Sequence, residues 1–348
     1  MKLLIVDFLC AEAHRTFNMN MVRAMAGIFN LSLVSVNGYY EKNIEELKKI
    51  GVRVLEAKID CNGIGRVKSK YRIYKIMRYC SKEYKNGEYD FVISLAHDTL
   101  LSVFIPFLFH KNRIGIFHHK NIDELQTKIK IISFAVYKKY VIHFVFEDSF
   151  NNYLVDKHHV PYNRVFTIPH PIQTHLKEEK ILKYDCIGLC HENDEKFIDE
   201  LEAHEYDIER LGLRFLFRSK KERKSTNNFT FIDKFLEYSE YEDIISSSKS
   251  VFVPLPQYYI YRLSASIYDA FSLHKKVLTT SYTHAKEYSD KYPGICTYIE
   301  KPEELITKLK EFNEETVNVD SFCRFSDDHL IERVRDKIKE SICFVLKR

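Results

Sequence analysis

The sequence predicts an α/β chain of two doubly wound, Rossmann-like domains facing a cleft, and three observations carry this: its length, an alternation of strand-like and helix-length segments, and one sharp break in that alternation. At 348 residues the chain is too long for one ordinary core and suits two domains near the common size. Hydrophobic residues make up 45% and charged residues 29%, enough to fill cores under a solvated surface, which excludes a disordered chain. In the first half, strand-like runs at Leu3–Phe8, Leu31–Val36 and Val52–Ala57 alternate with helical candidates near Asn18–Ile28 and Ile44–Ile50, followed by a long basic helix. Further strand-like runs follow at Tyr89–Ser94, Arg113–Phe117, Val141–Phe146 and Arg164–Ile168. Such alternation reads as a parallel sheet covered by helices.

The break falls at Ile168-Pro-His-Pro-Ile172, where two prolines flank one histidine and a polar segment, Gln173–Lys183, follows. Proline excludes both helix interior and central strand there. The expected domains are therefore residues 1–172 and 173–326, with a C-terminal helix, 327–348, able to cross back. The second alternation runs through strands Cys186–Cys190, Leu213–Phe217, Phe229–Ile232, Ser250–Pro254 and Lys276–Thr280, with helices near Glu195–His204, Tyr241–Ser247 and Ser264–Leu273.

Eight cysteines are scattered without a C-x-x-C pair, and Met1 leads straight into a strand-like run without a signal peptide. Reduced thiols and a cytoplasmic protein are the expectation. The longest apolar stretch, Leu100–Phe109, contains Pro106 and falls short of the roughly 20 residues a membrane helix needs. Charge is uneven: residues 1–175 hold 25 Lys+Arg against 16 Asp+Glu, or +9, and the rest 28 against 33, or −5. The first half is expected to face something anionic.

In open α/β sheets ligands bind outside the carboxyl ends of strands, and the loop before the helix near Ser264–Leu273 suits an anion. Ser264 and Ser266 are N-cap types whose helix opening presents free backbone N–H groups, the small Ala265 lets a phosphate come close, and Arg262 can add a bidentate clamp. Asp269 falls where a carboxylate can accept hydrogen bonds from ribose hydroxyls. The same residues also read as an ordinary cap and a solvated first-turn charge.

Tyr268-Asp-Ala-Phe-Ser-Leu-His-Lys-Lys-Val-Leu-Thr-Thr280 resembles the donor-site stretch of GT-B glycosyltransferases related to the glycosyl transferases group 1 family, and Arg262-Leu-Ser-Ala-Ser266 resembles the Arg-x-Ser-Gly loop of bacterial surface-polysaccharide transferases. Phe166-Thr-Ile-Pro-His-Pro-Ile172, Cys186-Ile-Gly-Leu189 and Asn228-Phe-Thr-Phe-Ile-Asp-Lys-Phe235 resemble, in the right order, its interdomain stretch, its first donor-domain strand and its base-holding loop. The resemblance implies an acceptor-binding first domain, a nucleotide-sugar-binding second domain, and a glycosyltransferase serving lipopolysaccharide or capsule synthesis. It implies no metal and no cofactor beyond the nucleotide-sugar co-substrate. Two departures stand out. Tyr261 occupies the place of the first Glu of the family's Glu-x7-Glu, and Cys190-His-Glu-Asn-Asp-Glu-Lys196 replaces an Arg- and Lys-bearing loop. Phosphate-neutralising charge must then come from Arg262, or from Arg218 and Lys220 after the strand Leu213–Phe217.

Glycosyl transfer requires a base for the acceptor hydroxyl. Candidates after first-half strands are His14, in the Cys10–Asn20 loop, Asp98, and His119 of the pair His118-His119; each also reads as a loop residue paired with backbone. His170 reads as a rigid hinge piece bordering the donor. The segment Arg66–Lys85 holds eight Lys/Arg and one acid among tyrosines and aliphatics, which suits an anionic leaflet, with Lys128–Lys139 extending the surface; it also reads as an ordinary solvated helix. The expected partners are a nucleotide-sugar, a glycan or lipid-linked acceptor and an anionic membrane surface, at the inner face of the cell membrane. A GT-B epimerase or phosphorylase is the alternative. Nucleic-acid binding is disfavoured by the modest net charge and the absence of a motif.

Overall fold

The computed structural model describes residues 1–59, 65–172, 180–190, 193–234, 236–314 and 318–347. Residues 173–179 of the polar segment after the break lie outside the described residues, as do His191 and Glu192 of the loop that departs from the family pattern. The chain divides into two compact units: Met1–Pro171 with Tyr261–Leu263 and His329–Arg348, and Ile172–Ile260 with Ser264–Asp328.

In the first unit, strands β1 (Lys2–Asp7), β2 (Asn30–Val36), β3 (Arg53–Ala57), β4 (Phe91–Ala96), β5 (Ile114–Phe117), β6 (Ile142–Val145) and β7 (Val165–Thr167) form one sheet of order β3-β2-β1-β4-β5-β6-β7. Every pairing is parallel, so helical crossovers must link the strands. These are α1 (Arg15–Met25), α2 (Ile44–Lys49), α3 (Arg66–Asn86), α4 (Ile105–Leu108), α5 (Lys128–Tyr137) and α6 (Asp148–Asp156). Both faces of the sheet are covered, which is why its central strands, such as Leu3–Val6 of β1 and Ile114–Phe117 of β5, are apolar on both sides. Leu4 and Val6 of β1 join one core with Ile76 and Phe134, while Leu3 and Ile5 join the other with Met21 and Val22, following the two-residue period of a strand.

The second unit repeats the plan. Strands β8 (Tyr184–Gly188), β9 (Phe215–Arg218), β10 (Phe229–Ile232), β11 (Ser248–Val253), β12 (Lys276–Thr279) and β13 (Cys296–Tyr298) take the order β10-β9-β8-β11-β12-β13, all parallel. Helices α7 (Glu195–Glu202), α8 (Glu205–Leu211), α9 (Tyr238–Ser246), α10 (Ala265–Ser272) and α11 (Tyr282–Lys291) lie between them, and α12 (Pro302–Glu314) follows β13. Asp194 caps α7 by accepting from the amides of Lys196 and Phe197, and Gly212, at φ +63°, ends α8 in the left-handed conformation that glycine tolerates.

The tail corrects one expectation. It is two helices, α13 (Val319–His329) and α14 (Ile331–Leu346), parted at the extended residue Leu330. Val334, Ile338, Ile342 and Val345 lie on one stripe of α14 and pack in the first unit's core with Met21 and Val22 of α1, each burial contributing roughly 1.5–3 kcal/mol. Among the described residues, no helix is long and apolar enough to cross a membrane. In each sheet the winding direction reverses once, between β1 and β4 and between β8 and β11. The crevice outside the carboxyl ends at such a reversal is where doubly wound sheets bind ligands.

Candidate functional site

At the first unit's reversal, β1 ends on Asp7, where the pairing with β4 becomes irregular and sets Asp7 opposite Ala96. A carboxylate closing the run Leu3-Leu-Ile-Val-Asp7 is buried and must find donors. One oxygen accepts from the amides of Leu9 (2.7 Å) and Cys10 (2.9 Å), and the other from Asn18 Nδ2 (2.9 Å) and His14 Nδ1 (3.3 Å). Burial by itself pushes this carboxyl up. The bond and charge of His14, with Asn18 and the Cys10 amide, outweigh it and hold the group below the usual carboxylate range.

His14 closes the short 3₁₀ turn Glu12–His14 before α1, and its side chain remains 21% exposed. When the ring is neutral and Nδ1 donates to Asp7, Nε2 carries the lone pair, the tautomer a general base requires. The ring stacks on His119 at 4.9 Å and 10°. His119 donates Nε2–H to Leu95 O (2.8 Å), and burial, then the neighbouring His14, holds it down to about 3. It is therefore neutral and serves as a flat wall. Phe17 meets His119 edge-on at 4.8 Å and His170 at 4.9 Å, so His170 packs into this same aromatic group.

Of the three candidate bases, the structure thus brings His14 and His119 together. Asp98 is engaged elsewhere: Oδ1 accepts from the amides of Leu100 and Leu101 (both 3.1 Å) and Oδ2 pairs with Lys70 of α3. Burial raises its carboxyl, and Lys70 with the Leu101 amide overcomes that and lowers it. Asp7 was not singled out in the sequence, although an acid ending a buried strand seven residues before a histidine was a readable signal.

At the second unit's reversal, α10 opens beyond β11. Ser264 holds the N-cap position in extended conformation, but its side chain makes no capping bond; its carbonyl accepts from Ile267 and Tyr268 instead. Ala265 is exposed and Ser266 half-buried, so the opening amides are not sealed in packing and suit an anion. Cys190, just past β8, points its Sγ at Ser266 Oγ (3.9 Å). Asp269 accepts from the Tyr241 hydroxyl of α9 (3.3 Å). Burial raises its carboxyl to about 7, which the Tyr241 bond counters and Glu242 reinforces.

The basic loop after β9 is tied to β8 and α7. Asn193 Nδ2 donates to Gly188 O and Arg218 O (both 2.7 Å), tying the ends of β8 and β9. The Lys220 amide donates to Glu195 Oε1 (2.7 Å), leaving that side chain exposed. Arg223, only 6% exposed, pairs with Glu195, Asp199 and Glu202 of α7. Arg262, expected to clamp beside Ser264, belongs to the first unit: its Nε forms an ion pair at 3.3 Å with Oδ2 of buried Asp123, whose Oδ1 accepts from the Tyr261 amide (2.7 Å). Tyr261 stacks on Tyr153 at 3.9 Å. The described cysteines are free thiols. No group of three or more metal-ligating side chains occurs among the described residues.

No protein-family model matches the chain, and no curated protein sequence matches it. Its fold does match solved structures along their whole length. A glycosyltransferase from Rickettsia africae superimposes with a TM-score of 0.67 at 11% identity, over 100% of this chain and 99% of that one. Anabaena HepE, solved in complex with UDP and glucose, gives 0.65 at 10% identity, covering 99% of each. The UDP-GlcNAc 2-epimerase of Methanocaldococcus jannaschii gives 0.62 at 12% identity, over 98% of this chain and 100% of that one. Two Rossmann-like parallel sheets, each reversing once, in a chain that matches these structures end to end, make the fold that of the GT-B class.

Proposed function

We propose that this chain is a glycosyltransferase that moves a sugar from a nucleotide-sugar donor onto a glycan or lipid-linked acceptor, with His14 as the base. The observation that carries this reading is the Asp7–His14 pair at the carboxyl end of β1, an imidazole oriented by a buried carboxylate with its outer nitrogen open. Fold neighbours bound to UDP, as in HepE, support the donor class. In the reaction His14 Nε2 takes the acceptor hydroxyl proton as the oxygen bonds to the anomeric carbon. The bond from that carbon to the diphosphate breaks, and the diphosphate leaves with the electron pair. The amides opening α10 at Ala265 and Ser266 receive its charge, and Asp269 receives the ribose hydroxyls. A single displacement of this kind inverts the anomeric centre.

Thermal-shift titration with a panel of nucleoside-diphosphate sugars tests the donor, because a ligand that binds only the folded state raises its melting temperature. A rise of several degrees with one base and sugar is expected; no rise across the panel removes the reading. The epimerase neighbours define the competing outcome. Conversion of UDP-GlcNAc to its 2-epimer in the absence of any acceptor would replace transfer by epimerisation.

A further inference from the structure

We propose that the first unit docks on an anionic lipid surface through one patch made by α3, the helical stretch Leu101–Leu108 and α5. Eight of the eighteen exposed large apolar side chains among the described residues lie in these three elements, a concentration beyond the scatter expected of a protein surface. On α5, Ile129 (60% exposed), Ile132 (68%) and Val136 (51%) stand at spacings of three and four and so form one outward stripe. The same helix buries Phe134 and Tyr137 on its other side. Phe107 of α4 is 78% exposed, and Val67 and Tyr71, one turn apart, are exposed on α3. The elements are neighbours: Tyr74 of α3 meets Phe104 at 5.0 Å, and Leu101–Phe104 packs on α5.

The charge around these side chains decides the occupant. Arg66 and Lys68 are exposed beside Val67, and Lys128 and Lys139 flank the α5 stripe. Residues 101–108 and α5 carry no acid, and α3 carries only Glu83, near its far end. Two described carboxylates beside these elements are already taken, Asp98 by Lys70 and Glu124 by Lys130 (3.0 Å). An isolated apolar stripe rimmed by one sign of charge fits a bilayer of negative headgroups, with the apolar groups entering the acyl boundary and the cations staying at the headgroups. A protein partner would need a matching row of acids. Docking deepens the proposed transfer by presenting a lipid-linked acceptor, and it rests on that reading only for what the bound lipid is used for.

Co-sedimentation of the full chain with phosphatidylcholine vesicles, with and without phosphatidylglycerol, tests it. Partitioning at least ten-fold stronger onto the anionic vesicles is expected, falling as salt rises. Lys128→Gln and Lys139→Gln should each weaken it roughly five-fold, and Ile132→Glu or Phe107→Glu at least ten-fold, with circular dichroism and the nucleotide-sugar melting shift unchanged because these side chains are exposed. Equal recovery on both vesicle types, or variants that bind as the parent does, overturns the proposal. So does a dimer in sedimentation velocity that Ile132→Glu splits, which would make the patch a contact between copies of the chain. Loss of vesicle binding with the nucleotide-sugar shift intact leaves the transferase reading standing, and the reverse result separates the two the other way.

Discussion

The two units share one winding plan and use opposite electrostatics at its reversal point. In the first, burial strips histidines of their charge: His97 and His119 are held down to about 4 and about 3, His143 and His170 to about 3, and His118 well below its ordinary value. His14, paired with Asp7 and 21% exposed, stands outside that buried group. In the second, burial acts on an acid and raises Asp269 to about 7, while Lys221 and Arg223 of the loop after β9 pair with α7 carboxylates. The same desolvation thus leaves neutral imidazoles in one unit and a near-neutral carboxyl in the other.

The sharpest way to break this contrast is to remove the proposed base, His14. His14→Ala should lower turnover by about 10²- to 10⁴-fold with donor affinity retained, and Asp7→Asn on the order of 10²-fold by freeing the wrong tautomer. Steady-state kinetics with donor binding measured in parallel would check both; a His14→Ala enzyme at near-parental turnover means that the pair is structural.

Stability against pH gives the next largest effect, and its sign differs between the units. Histidines whose folded pKa is depressed contribute stability that is present above about 6.5 and lost as pH falls through their folded values. For buried His97 and His143 this amounts to about 2 kcal/mol each at pH 5, taken to order of magnitude. Asp269, with its folded pKa raised, contributes stability that is full below about 4 and lost as pH rises through about 7. Denaturation midpoints should therefore fall steeply from pH 6.5 to 4 in the parent, and Asp269→Asn should gain most, relative to the parent, above pH 7. A midpoint flat across that range would mean that these histidines charge without cost.

Much of the fold was legible because a parallel strand buried on both faces is predominantly apolar. Leu3–Phe8 and Leu31–Val36 could be read without neighbours, and the proline pair at 169 and 171 marked a break that no sheet interior accepts. The site was legible only where local chemistry defines it. Ser264–Ser266 could be placed at a helix opening from its own cap residues, and the structure leaves that opening unsealed. Pairings between distant residues were not readable. Nothing near Asp98 in sequence announces Lys70, and nothing near Arg262 announces Asp123, since both ion pairs follow from tertiary packing. The tail was read as one helix because its amphipathic period hides the extended Leu330.

Two smaller effects test how far the second unit's opening acts alone. Asp269→Ala should weaken donor binding about ten-fold, the loss of one or two hydrogen bonds from a carboxyl, with turnover at saturating donor little changed; calorimetric titration would show it. Arg262 separates the sequence reading from the structural one. If its guanidinium serves Asp123, Arg262→Ala strands a carboxylate whose side chain is 4% exposed. Because Arg262 itself is 26% exposed and the Tyr261 amide still bonds Asp123, the cost should be about 1 kcal/mol in a denaturant melt, well under that of a fully buried pair. Donor affinity should be unchanged. The opposite pattern, an unaltered melt with a donor constant weakened ten-fold or more, would return Arg262 to the diphosphate as its clamp and leave Asp123 held by backbone.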